Sequence, residues 1–337
     1  MVGQILDGII AVILGVGVCV IYFVGSNILL DHVFSDDRNA DNSLISRHCQ
    51  RDALRPWMFL LPAMVLLFVY LIYPVCETIR LSFHDFTGER FVGLKNYAWA
   101  FQDPELLQAV GNNAMWLLVV PSLSVVFGLV VAALADRVWW GTFAKSMIFM
   151  PMAISFVGAS VIWKFVYDFR GPDSEQIGSL NALVMLFGKE PEAWITIPFW
   201  NNFFLMVILI WIETGFAMVI FSAALRGVSD ETIEAARIDG ANELEIFFWV
   251  MIPQIMTTII VVWTTITIKV LKIFDIVLAM TNGQWGTEVL ANLMFDWMFR
   301  GGGDSGRGST IALLLMIAVV PIMIWNIRRF RREEESL

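Results

Sequence analysis

Charge is scarce in this chain. Asp, Glu, Lys and Arg make up 16% of its 337 residues, where soluble proteins carry roughly 25%. Basic residues are in deficit, and the formal charge of −9 excludes the basic face that nucleic acid requires. Cys19, Cys49 and Cys76 are the only cysteines, and His32, His48 and His84 the only histidines. No CxxC or Cys/His spacing joins them, which argues against a disulfide framework and a zinc site alike. The paired acid/base residues or metal-ligand clusters of a membrane enzyme are missing too. So is the Gly-x4-Gly-Lys-Ser/Thr loop that cradles nucleotide phosphates.

What fills the sequence is apolar. Hydrophobic residues account for 58% of the chain, with 26 Phe and 14 Trp, and they gather in long uninterrupted runs. A hydrocarbon core about 30 Å thick needs roughly 20 apolar residues in a helix, because every backbone donor and acceptor must be satisfied within the segment. Seven runs qualify, near 9–30, 57–76, 112–135, 146–166, 199–222, 254–280 and 309–327. The expectation is an all-α integral membrane protein of about seven transmembrane helices. The first run is long for a secretory signal and lacks a small-residue cleavage site, so it is read as a retained helix.

Orientation follows from Lys and Arg in short loops. With the C-terminus in the cytoplasm, twelve Lys and Arg residues fall inside and seven outside, and the tail Arg328, Arg329, Arg331 and Arg332 is the strongest anchor. Seven spans then put the N-terminus outside. Residues 1–50 form an N-terminal helix and cytoplasmic loop, and 51–337 the main body. No repeat with a 20–50-residue period is visible, so the inverted repeats of many secondary transporters find no support.

The inner loop between the fifth and sixth spans, 229–253, reads as two short helices. Ser229 suits an N-cap, with Asp230 and Glu231 at the positive end of the first helix. Gly240 falls where a left-handed C-terminal cap is needed. Asn242 and Glu245 then have the spacing of a capping box. The first helix is only about 13 Å long. Ile233, Ala235 and Ala236 give it a low apolar surface that another protein can approach closely. Pro253 marks the return to the membrane.

Glu234, Ala235 and Ala236, then Gly240, then Val250, Met251, Ile252 and Pro253 resemble the EAA loop of ABC importer permeases, with Val250 where Ile is usual. Leu71 to Pro74, Ser82 and Phe83, Val92 to Tyr97, Trp211 to Phe216, Phe274 and Asp275 resemble the maltose-type sugar branch of that family. Thr281, Asn282 and Gly283 come next, a point where that branch usually continues Gly-Gly-Pro. Here Gln284, Trp285, Gly286, Thr287 and Glu288 follow, which looks more like the α-glucoside subgroup. The resemblance runs from about residue 55 to the end and implies a six-helix permease core in a cell inner membrane.

It also implies that Glu234, Ala235, Ala236, Asp239 and Gly240 couple to an ATPase. The implied partners are a second permease in a heterodimer, two ATP-binding subunits, an extracytoplasmic sugar-binding protein and membrane lipid, with no nucleic acid. ATP and Mg would sit on the ATPase, leaving this chain without cofactor or catalytic residues. The implied function is to move a di- or oligosaccharide, an α-glucoside, inward by alternating access. The competing reading is a secondary transporter or channel working without an ATPase, which leaves the 229–253 loop unexplained.

Ionisable groups inside spans cost about 2.5–3.5 kcal/mol on insertion scales and are functional candidates. Four qualify: Glu213, Lys269, Lys272 and Asp275. Lys272 and Asp275 are three apart and would pair on one helix face. Counted without gaps from Gly240 and Pro253, the sugar contacts of the resembled branch fall on Ile212, Glu213 and Phe216, and on Ile266, Val270 and Ile273. The last three are apolar here where that branch is polar. Lys269 shares their helical face, so Glu213 and Lys269 would line the cavity with Phe216 as a stacking platform. A buried Glu213–Lys269 pair that only joins two helices is the other reading.

Overall fold

The computed structural model describes residues 2–33, 43–171, 174–300 and 303–334. Arg38, one of the cations expected on the inner side, lies outside them. The chain forms two compact units, Met1–Glu77 and Thr78–Leu337. Among the described residues every regular element is helical, apart from an isolated antiparallel bridge between His84 and Phe91.

In the first unit, α1 (Val2–Val33) and α2 (Ser43–Leu67) are long helices. Within the apolar stretch Leu6–Leu29 of α1 only Ser26 is buried in protein, the surface expected of a helix facing lipid. Tyr22 donates its hydroxyl to the Met58 carbonyl at 2.7 Å, and Phe23 stacks on Phe59 at 5.5 Å. A π-helical turn, Phe68–Ile72, leads from α2 into α3 (Tyr73–Ser82). Pro74 follows directly. A proline has no N–H, and its ring collides with the carbonyl four residues back, so a widened turn houses it.

The second unit is organised by two long helices after the short α4 (Lys95–Ala100): α5 (Pro104–Ala135) and α9 (Trp200–Arg226). Asp103 caps α5, accepting from the Leu106 N–H at 2.9 Å, and Pro104 occupies the first turn. The helix therefore begins eight residues before the apolar run that announced it. Trp116, Leu209, Met218 and Phe221 are fully buried along the α5–α9 seam. Gly128 lets the helices close there, because a Cβ at that position would sit 2.5 Å from the Ala217 Cβ.

Two of the expected spans are broken. Between α6 (Gly141–Phe149) and α7 (Phe156–Val166) the chain bends by 108° through a 3₁₀ turn, Met150–Ala153, containing Pro151. Ser155 then caps α7 through the Gly158 N–H. The loop after α7 carries α8 (Ser179–Leu186). After α9 come α10 (Asp230–Ile238), the short α11 (Glu243–Glu245), a π-turn Ile246–Met251 and α12 (Ile252–Gln254). A 72° bend leads into α13 (Met256–Leu271). The π-turn again precedes a proline, Pro253, and has the same steric cause. Next are α14 (Asp275–Met280), α15 (Leu290–Phe295) and α16 (Ser305–Glu334), which carries the seventh apolar run.

Lys272 caps the end of α13, and Phe274 at φ −140° breaks the helix before Asp275. The expected Lys272–Asp275 pair does not form among the described residues, because three-residue spacing places side chains together only on a continuous helix.

Candidate functional site

Two places combine chemistry with geometry: a charge pair within the membrane core, and the 229–253 loop at one end of it. Glu213 is carried by α9 and Lys269 by α13. The Lys269 ammonium donates to both carboxylate oxygens, at 3.0 and 2.9 Å. It also lies 4.6 Å from the centre of the Phe216 ring, within cation–π range. The Glu213 side chain is 2% exposed and that of Lys269 34%. Glu213 therefore lies behind, and the ammonium and ring stand in front. Ile212, Ile266, Val270 and Ile273 are buried in the apolar core around the pair, while Phe216 is half-buried. The structure thus brings Glu213, Phe216 and Lys269 together and uses the four aliphatic residues as packing.

In the loop, Gly240 adopts φ +89°. The Ala241 N–H reaches the Ala236 carbonyl at 3.0 Å, which closes α10 with a Schellman turn. Asn242 and Glu245 form the capping box, the Asn242 side chain accepting from the Leu244 and Glu245 N–H groups. Ser229 has the extended backbone of an N-cap but makes no side-chain cap bond. Ile233 and Ala236 are half-buried against the protein, whereas Glu234, Ala235, Asp239 and Gly240 are exposed. Ile238 is 86% exposed and Trp249 77%, so the surface open to a partner includes Ala235, as expected, together with Ile238, while Ile233 and Ala236 turn towards the protein.

The loop is tied to the core by charges that sequence reasoning missed. Glu243 accepts from Arg237 on α10 at 2.9 Å and from Arg137, just past α5, at 3.1 Å. Neighbouring Asp136 accepts from Lys145 of α6 and from Arg226 at the foot of α9, at 2.6 and 2.7 Å. Burial pushes the Asp136 carboxyl up, but bonds from Lys145, Arg226 and Ser222 outweigh it and hold the group below its usual 3.8.

At the opposite end of α9, about 40 Å away, a second polar group went unread. Asn112 and Asn113 of α5, with Asn201 and Asn202 of α9, are all buried and grip the segment 281–290. Beside them Glu288 accepts from Asn292 at 2.9 Å and from the Val289 N–H. Burial raises its carboxyl to about 7 against these bonds, with Asp296 and Glu105 adding like charge. The paired asparagines at the edges of two apolar runs were the available signal.

Long apolar helices, two of them broken, with a charged pair in their midst and a capped helix hung from one end, define the membrane subunit of a transporter. The chain belongs to the binding-protein-dependent transport system inner membrane component family, whose description matches residues 117–328. It is a pore-forming subunit of an ABC importer in that membrane. It is 62% identical over 331 residues to the alpha-glucoside transport system permease protein AglF of Rhizobium meliloti, covering 98% of each chain. It is 53% identical to the osmoprotective compounds uptake permease protein GgtC of Synechocystis, over 82% of this chain and 99% of that one. Identity to the trehalose/maltose transport system permease protein MalF of Thermococcus litoralis is 27%, over 87% and 100%. In fold it is similar to a chain of a bacterial ABC transporter that imports the polysaccharide alginate, with a TM-score of 0.71 and 18% identity over 85% of this chain and 98% of the other.

Proposed function

We propose that this chain forms one half of the pore of an ATP-driven importer for an α-linked di- or oligosaccharide. The observation that carries the substrate class is the 62% identity to an alpha-glucoside permease along nearly the whole of both chains. The assembly pairs it with a second, similar permease, two ATP-binding subunits and an extracytoplasmic sugar-binding protein. Its C-terminus is cytoplasmic, and ATP and Mg sit on the ATPase. Glu234, Ala235, Ala236, Asp239 and Gly240 meet the ATPase; the exposure of four of them and the Schellman turn that closes α10 suit that contact.

Lys269 and Phe216 face the sugar, with Ile212, Ile266, Val270 and Ile273 as the wall behind them. A pyranose offers a C–H face to an aromatic ring and hydroxyls to an ammonium. Glu213 fixes the ammonium in place and keeps its charge from standing alone in the membrane core. ATPase closure would move α10, and Glu243 would carry that motion to α5 through Arg137.

Reconstitution in liposomes tests the proposal: maltose uptake is expected only with the second permease, ATPase, binding protein and ATP present. Uptake without ATPase would favour a secondary transporter or channel. In the complete complex, Glu213→Ala is expected to change sugar-stimulated ATP hydrolysis, and an unaltered response would leave the pair a joint between helices.

A further inference from the structure

Among the features the importer reading leaves unused, the hairpin 281–288 is the most constrained. Asn282, Gly283 and Gly286 have φ of 53°, 77° and 76°, values these residues tolerate. Trp285 shares the left-handed region, at φ 56°, where a bulky side chain is strained and persists only if its surroundings enforce it. The surroundings do so. Asn201 donates to the Trp285 carbonyl at 2.7 Å, and Asn112 to the carbonyls of Gly286 and Glu288 at 2.8 and 2.7 Å. The Thr281 and Thr287 hydroxyls close the base of the hairpin at 2.6 Å.

Despite this grip on its backbone, the indole is left out of the core. Trp285 is 49% exposed. Among the described residues no other ring stacks on it and its N–H donates to nothing. Its exposed neighbour is Gln284, and the half-buried Asn282 accepts from Arg300. A polar setting of this kind is unsuited to lipid tails. An indole face beside an amide suits a pyranose, whose C–H face stacks while its hydroxyls bond to the Gln284 amide and the indole N–H. The hairpin stands at the end of α9 away from the coupling loop, and continues from the α13–α14 segment that bears Lys269.

We propose that Trp285, with Gln284, is a stacking platform that receives a sugar ring at the outer mouth of the pathway, before it reaches Phe216 and Lys269. The proposal rests on the importer reading above. Its strained, multiply anchored backbone holds the indole ready, so no ordering is needed when sugar arrives.

The test uses the complete importer reconstituted with ATPase and binding protein, with maltose as probe. At saturating loaded binding protein, Trp285→Ala and Trp285→Gly are expected to lower uptake about tenfold, and Trp285→Phe to stay within about threefold of wild type. Affinity of the loaded binding protein for the complex should not change, and Trp285→Gly, free of the φ strain, should melt no lower than wild type. Unchanged uptake overturns the platform. So does weakened binding-protein affinity, which would make Trp285 a protein contact, or a lower melting temperature in Trp285→Gly, which would make it structural. A wild-type complex that moves no maltose with ATP present refutes the importer reading instead.

Discussion

Lys269→Met and Glu213→Gln break the same ion pair but should not cost the same. The Glu213 carboxylate is 2% exposed and accepts both of its bonds from Lys269. Removing the lysine strands an anion in the membrane core, at about 3–5 kcal/mol for breaking a buried pair. Removing the anion leaves an ammonium that is 34% exposed and 4.6 Å from the Phe216 ring. The ring returns about 0.5–2 kcal/mol and solvent screens the rest, so Glu213→Gln should cost only about 1 kcal/mol. The double variant should cost well under the sum of the two, since the stranded carboxylate no longer exists. Thermal midpoints of the purified importer in lipid nanodiscs, measured for all three variants, give the ranking. A Glu213→Gln penalty equal to that of Lys269→Met, or additive losses in the double variant, would refute the assignment of the carboxylate to the rear and the ammonium to the front.

Two further outcomes are expected. Gly240→Val forces a β-branched residue to φ +89° in otherwise open space, a backbone penalty of about 1–2 kcal/mol; ATPase co-purification should fall, and Gly240→Asn should recover most of it, whereas equal losses would place the fault elsewhere. Glu288, whose carboxyl rises from an ordinary 4.5 to about 7 in the fold, keeps a proton that the unfolded chain releases first, so stability should decline as pH climbs from about 4.5 through about 7. Glu288→Gln should flatten that decline in thermal melts, and an unaltered slope would reject it.

Much of this was legible beforehand because hydropathy and capping are local. The helical character of the apolar runs, the left-handed Gly240 and the Asn242–Glu245 box appear where residue type and spacing place them. Among the described residues, though, four helices, or six if each bent pair is one span, are long and apolar enough to cross a membrane, against the seven expected. The bends at 150–155 and at Ile255 were not, since an apolar run reads alike whether its helix is straight or broken. Lys272 and Asp275 failed to pair for the same reason: their spacing presumes a helix that Phe274 interrupts. The sequence offers Glu213 and Lys269 either as cavity-lining ions or as a buried pair, and only the fold shows that they bond and which one is hidden. Asn112, Asn113, Asn201 and Asn202 carry no legible role in the sequence, because their partners are backbone carbonyls and an N–H more than 80 residues away.

The claim on which all else depends is that α10 receives an ATPase. Ala235→Cys, on the exposed side of α10, gives the most direct measurement when paired with cysteines along the groove of the ATPase subunit, in a chain with Cys19, Cys49 and Cys76 replaced by Ser. The account predicts a disulfide-linked permease–ATPase band that oxidation forms and reductant removes, with maltose uptake arrested while it persists. A cysteine at 235 that is labelled only from outside the cell, or that never links to the ATPase of an actively transporting complex, would contradict it.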